Sequence, residues 1–109
     1  MSRTDLEIAQ DALDHLSVLR SHLTRGDLSD QTVADAVSLR LAAAIEAIAQ
    51  GSDDLRQRLF AGKWHVVWAT RNRIAHNYAY IDHGIIAATV AQDLPSLESA
   101  LADEIARAG

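Results

Sequence analysis

The sequence predicts an all-α protein, an antiparallel bundle of about four to five helices. Two observations carry this reading. Apolar residues recur at three- and four-residue spacings, and Ala and Leu dominate them without the sustained alternation of a strand. Gly26, Gly51, Gly62, Gly84 and the single proline, Pro95, also cut the chain into pieces of helix length.

The first helix is expected over residues 4–24. Thr4 can cap it, and Glu7 stands three residues on, as a capping box requires. Leu6, Ala9, Leu13, Leu16 and Leu23 form its apolar stripe, and Gly26 is the expected stop. A second helix runs from Asp30, a good N-cap, to Gln50. Its buried face is Val33, Val37, Leu41, Ala44, Ile45 and Ile48, and Gly51 ends it. Glu46 lies near that face, where a carboxylate needs either a partner or an edge position with its head in water.

A short piece covers 53–60, and a third main helix covers 63–76 with Trp64, Val67, Trp68 and Ile74 inward. Residues 77–82 break the pattern. Asp82 can cap a fourth helix over 83–92, and Pro95 suits the first turn of a fifth with Leu97, Leu101 and Ile105 inward.

With 109 residues, the chain reads as a single helical domain over 1–109. Hydrophobic residues make up 49%, enough for a core. A chain this small buries a modest share of its surface, which favours pairing into a symmetric homodimer. Cysteine is absent, which removes thiolate nucleophiles and Cys-based metal sites and fits a reducing interior. The start of the chain lacks the apolar run of a signal peptide, and the longest apolar run, Leu41 to Ile45, is far too short for a membrane span. A cytoplasmic location and no membrane partner are expected.

The net charge of −5 argues against nucleic acid until its distribution is considered. Between Asp54 and Asp82 there is no Asp or Glu, while Arg56, Arg58, Lys63, Arg71 and Arg73 all fall there. That stretch carries +5 and the remainder −10. An acid-free segment in an acidic protein is a candidate phosphate-facing surface, with Lys63 and Arg73 as phosphate contacts beside Arg71.

Residues 71–82 read Arg-Asn-Arg-Ile-Ala-His-Asn-Tyr-Ala-Tyr-Ile-Asp, polar and rich in donors. Cutting RNA without a metal requires moving a proton off the 2′-hydroxyl, giving one to the leaving 5′-oxygen, and stabilising charge on the phosphoryl oxygens. Histidine suits the proton transfers and arginine the charge. His76 and Arg71 are the candidate catalytic pair. Five residues on an α-helix separate their directions by roughly 140°. They converge only if the helix ends at His76 and frees it, or if a symmetric partner supplies its own copy. His15, His22, His65 and His83 are expected at the surface, with no metal site, Gly-rich phosphate loop or serine nucleophile motif. No cofactor is expected.

Taken together, Arg71-Asn72-Arg73-Ile74-Ala75-His76-Asn77-Tyr78 and Ile81-Asp82 resemble the Arg-x4-His-x-Tyr motif of HepT-like proteins in the HEPN superfamily. Trp64, seven residues before Arg71, fits that family, as do Ile86, Thr89-Val90 and Asp93-Leu94-Pro95 downstream. The 37–48 helix with Glu46 resembles its second helix, so the likeness covers roughly residues 33–101.

The resemblance implies a dimeric, metal-independent ribonuclease, the toxin of a type VII-like HepT/MntA toxin–antitoxin pair. Arg71 would then hold and stabilise phosphate, His76 would handle protons, and Asn72 would shape the site by hydrogen bonding. The partner implied is an MntA-like nucleotidyltransferase antitoxin that adds AMP to the motif tyrosine, which Tyr78 matches. Tyr80 leaves open which phenol is modified. A competing reading is a non-catalytic HEPN module that binds nucleotide or docks onto a nucleotidyltransferase. A purely structural bundle would leave the polar density of residues 71–82 without a purpose.

Overall fold

The structure, a computed structural model, describes residues 3–76 and 83–108. Its elements are α1 (Asp5–Leu23), α2 (Gln31–Ala49), α3 (Asp53–Phe60), α4 (Trp64–His76), α5 (His83–Ala88), a π-helical turn (Thr89–Asp93) and α6 (Leu94–Ala108). Every regular element among the described residues is helical, and the protein is an all-α bundle. No helix among those residues is long and apolar enough to cross a membrane.

Side-chain caps fix where α1 to α3 begin. Thr4 Oγ1 accepts from the Glu7 amide at 3.1 Å and donates to Glu7 Oε1 at 3.1 Å. Asp30 Oδ1 accepts from the amides of Thr32 and Val33 at 2.9 and 3.3 Å. Ser52 Oγ accepts from the Leu55 amide at 3.0 Å. Each satisfies donors that the first turn leaves without a helical partner.

The stops differ from expectation. Gly26 does not cap α1, which closes through Thr24 in a right-handed conformation, its hydroxyl donating to the Ser21 carbonyl at 2.7 Å. Likewise Gln50, not Gly51, caps α2. Gly51 sits in close quarters: a Cβ there would stand 2.7 Å from Leu55 Cδ2 and 3.2 Å from the Ile48 carbonyl oxygen, so Leu55 would have to shift. The positive-φ turn comes after α3, at Ala61 (φ 49°) and Gly62 (φ 87°).

The core is built on the α1–α2 hairpin. Ile8, Ala9, Ala12, Leu16 and Leu19 of α1 are fully buried. The buried face of α1 is therefore rotated from the expected stripe, and Leu13 and Leu23 pack at its flank. All six residues expected to face inward from α2 are buried. Ile74, Ile86, Val90, Leu94 and Leu101 close the same cluster, with Leu97 and Ile105 packed against it.

Instead of two separate C-terminal helices, α5, the π-turn and α6 run without interruption. Pro95 explains the π-turn: it has no N–H to donate, and its ring would crowd the carbonyl of Ala91 in a regular helix. The wide turn just before it, closed by the Leu94 amide donating to the Thr89 carbonyl, lets the helix continue. Two bidentate pairs fasten α6. Arg20 meets Glu98 at 2.6 and 3.2 Å, and Arg58 meets Glu104 at 2.7 and 3.1 Å. The carboxylate partner raises each guanidinium pKa above its ordinary value.

Candidate active site

The helix that carries the motif, α4, is shallowly seated. Ile74 is its one buried residue, while Trp64, Val67 and Trp68 pack half-buried on the core. Arg71 lies three residues after Trp68 and three before Ile74, so the helical repeat puts it at the margin of the same inward face. A guanidinium there is partly desolvated, and its side chain is 23% exposed.

Its neighbours hold it on three sides. Arg71 Nε donates to Glu46 Oε1 at 2.7 Å, and Nη2 donates to the same oxygen. Nη1 donates to Asn72 Oδ1 at 3.0 Å. The guanidinium carbon stands 4.7 Å from the centre of the Trp68 ring, a cation–π contact. Three of its five N–H groups are thus engaged. One on each terminal nitrogen has no partner among the described residues. Asn72, expected from the resemblance to shape the site, is bonded to Arg71 through this contact. Glu46 and Trp68 were not singled out for the site. The Trp68–Arg71 spacing of three was a usable signal; the Glu46–Arg71 pairing, 25 residues apart, was not.

His76 is the last residue of α4 and is exposed. Because α4 stays helical through His76, the separation of roughly 140° from Arg71 stands. Arg71 turns to α2, and His76 bonds to none of the described residues. Beside the Arg71–Glu46 pair, an open groove of about 450 Å³ runs between α2 and α4. It is lined by Asp35, Leu39, Ala42, Ala43, Glu46, Ile74 and Ala75. Leu39 is 67% exposed there, a large apolar side chain without cover.

The basic segment is not one surface. Arg56 donates to the carbonyls of Ala49 and Gly51 at 3.1 and 2.5 Å, pairs with Asp53 and lies over Trp64. With Arg58 committed to Glu104, both cations serve the fold. Lys63 and Arg73 are exposed and have no ion pair among the described residues. Lys63 stands about 12 Å along the helix from Arg71. It lines a second groove, between α4 and the π-turn with α6, near Asp93. Arg73 shares the motif end of α4.

Tyr78, Tyr80 and the expected Asp82 cap lie outside the described residues. Of the other histidines, His65 is exposed, and His15 is half-buried with Nδ1 3.1 Å from Arg40 Nη1. No group of three or more His, Asp or Glu among the described residues stands close enough to hold a metal ion.

No curated protein and no solved structure matches the chain. A family model described as Ribonuclease HepT-like matches residues 9–103. That span begins inside α1, earlier than the sequence resemblance reached, and takes in the whole of α2 to α5 and most of α6. The chain therefore belongs to the HepT-like ribonuclease family, a HEPN-type family of ribonuclease modules.

Proposed function

We propose that the protein is a metal-independent RNA endonuclease, the toxin of a HepT/MntA-type toxin–antitoxin pair. Its working form is a homodimer in which Arg71 of one copy and His76 of the other meet on one scissile phosphate. The observation that carries this reading is the divergence of the two groups on a single regular helix, with Arg71 turned to α2 and His76 exposed at the helix end. A two-fold partner resolves that divergence. The uncovered Leu39 and the apolar groove beside Arg71 give such a partner a surface to bury.

In the reaction, an imidazole takes the 2′-hydroxyl proton, and the oxygen attacks the adjacent phosphorus. The bond to the 5′-oxygen breaks, and that oxygen receives a proton from an imidazolium or from water. The products are a 2′,3′-cyclic phosphate and a 5′-hydroxyl. Arg71 stabilises the charge that grows on the phosphoryl oxygens through the N–H groups that have no partner among the described residues, with Asn72 holding the fork. Arg73 and Lys63 meet flanking phosphates. An MntA-like nucleotidyltransferase silences the toxin by adding AMP to Tyr78, two residues from His76, where negative charge and bulk oppose RNA.

Incubation with RNA in EDTA tests this. Wild type is expected to cleave and to leave cyclic phosphate ends, and His76→Ala is expected to leave the RNA intact. Equal degradation by both proteins, or by neither, rejects the mechanism. The second reading, a non-catalytic module docking onto a nucleotidyltransferase, is favoured by the acidic remainder of the chain and by the neutralising Glu46–Arg71 pair. Growth arrest on expression without a partner separates the two, since only the nuclease causes it.

A further inference from the structure

We infer that Glu46 is the positioning residue of the site, resting on the nuclease reading above for its catalytic consequence. Its carboxylate anchors Arg71 by one edge and thereby aims the other end of the guanidinium at phosphate. Three features argue for this over a casual surface ion pair.

First, the contact is specific in its atoms. Nε and Nη2 of Arg71 both meet Oε1 of Glu46. This is the side edge of the planar fork; with Asn72 Oδ1 taking one N–H of Nη1, one N–H on each terminal nitrogen is left without a partner among the described residues. These two N–H groups can still donate to phosphate oxygens.

Second, the anchor is one of three restraints. Trp68 covers a ring-sized face of the guanidinium at 4.7 Å, and Asn72 Oδ1 takes Nη1 at 3.0 Å. A long side chain with several rotatable bonds is thereby confined before substrate arrives, which lowers the entropy cost of placing its charge.

Third, Glu46 belongs to α2, the best-buried helix of the bundle, with Ile45 and Ala47 buried on either side. The anchor therefore stands on a rigid element while Arg71 stands on shallow α4. Its own side chain is 48% exposed, so the carboxylate is not there to fill the core.

Positioning has a cost in this arrangement. A carboxylate beside the phosphate site repels RNA, so Glu46 weakens substrate binding while it raises turnover. That sign split distinguishes it from a structural residue. Because one oxygen receives both N–H groups, an amide oxygen can replace it, whereas an isosteric apolar side chain cannot.

The experiment compares Glu46→Gln and Glu46→Leu in two independent readouts. In RNA cleavage, Glu46→Leu is expected to lower kcat roughly ten- to hundred-fold, and Glu46→Gln to recover most of it. Both are expected to lower KM by roughly two- to five-fold through loss of the charge. In the second readout, the Nε–H resonance of Arg71, assigned by its loss in Arg71→Lys, is followed by NMR. It should stay exchange-protected in wild type and Glu46→Gln and collapse to the free-arginine position in Glu46→Leu. An unmoved resonance in Glu46→Leu overturns the positioning role even if no RNA is cut. Equal loss of kcat in both variants with a retained resonance overturns it in favour of proton chemistry by the carboxylate. Absence of cleavage by wild type rejects the nuclease reading alone, and the resonance still decides the role of Glu46.

Discussion

The α1–α2 hairpin and α4 are built from similar proportions of apolar residues but are used in opposite ways. In the hairpin, side chains vanish from solvent: Leu16, Leu19, Val37 and Ile48 are fully buried. In α4, Ile74 alone is buried, the tryptophans lie half-covered, and Val66 is 54% exposed. The hairpin holds the fold together, and under the proposed function α4 carries the chemistry. Packing cost is what separates them. On the proposed function, a helix that offers a guanidinium and an imidazole to a large anionic substrate cannot also bury all its faces.

The largest test of this contrast is stability. Leu16→Ala and Ile48→Ala each are expected to cost about 2–5 kcal/mol, whereas Val66→Ala is expected to stay within about 0.5 kcal/mol. Urea unfolding of the three variants checks it. Similar losses at all three positions would mean that the outer face of α4 is covered rather than displayed.

Next in size are the caps. Asp30→Ala removes the acceptor for two amides at the start of α2 and is expected to cost about 1 kcal/mol in the same measurement. RNA cleavage should be unchanged, because the Asp30 carboxylate bonds the first-turn amides of α2 and no site residue. A cap variant that disabled the site would blur the division between scaffold and chemistry.

A smaller, pH-dependent effect ties the two ends of the hairpin. Asp5, at the start of α1, accepts from the Ser52 hydroxyl at 2.6 Å and from its amide at 3.0 Å, just past the end of α2. The Ser52 hydroxyl bond, then its amide bond, hold the Asp5 carboxyl below its ordinary value, with Arg58 and Arg56 assisting. A depressed folded value means stability that is present above the unfolded pKa of about 3.9 and is lost as pH falls through the lower folded value. Asp5→Asn should flatten this part of the acid limb in a plot of unfolding midpoint against pH. An unchanged limb would show that the hydrogen bond does not bind α1 to the α2–α3 turn.

The same contrast governs what could be read from the chain alone. Thr4 and Asp30 were legible as caps because their partners lie two or three residues away. The inward face of α2 was legible because a helix packed on one side leaves a clean repeat. Gly26 and Gly51 misled, since a glycine ends a helix only where the turn needs positive φ, and here Thr24 and Gln50 close the helices in right-handed conformations. The run through Pro95 was hidden because a π-turn has no compositional sign. At the site, the residue types of Arg71, Asn72 and His76 were visible as a motif. The Glu46 anchor, and the diversion of Arg56 and Arg58 into structural pairs, depend on which helices meet. Local spacing does not encode that.

The composite site is tested most directly by subunit complementation. Arg71→Ala and His76→Ala are prepared separately, then unfolded and refolded together, with mixed dimers verified by mass. Each variant alone should be inactive on RNA. Random assortment makes half the dimers mixed, each with one intact site of two, so about a quarter of wild-type cleavage should return. Mixed dimers that form and remain inactive would contradict a site shared between two copies.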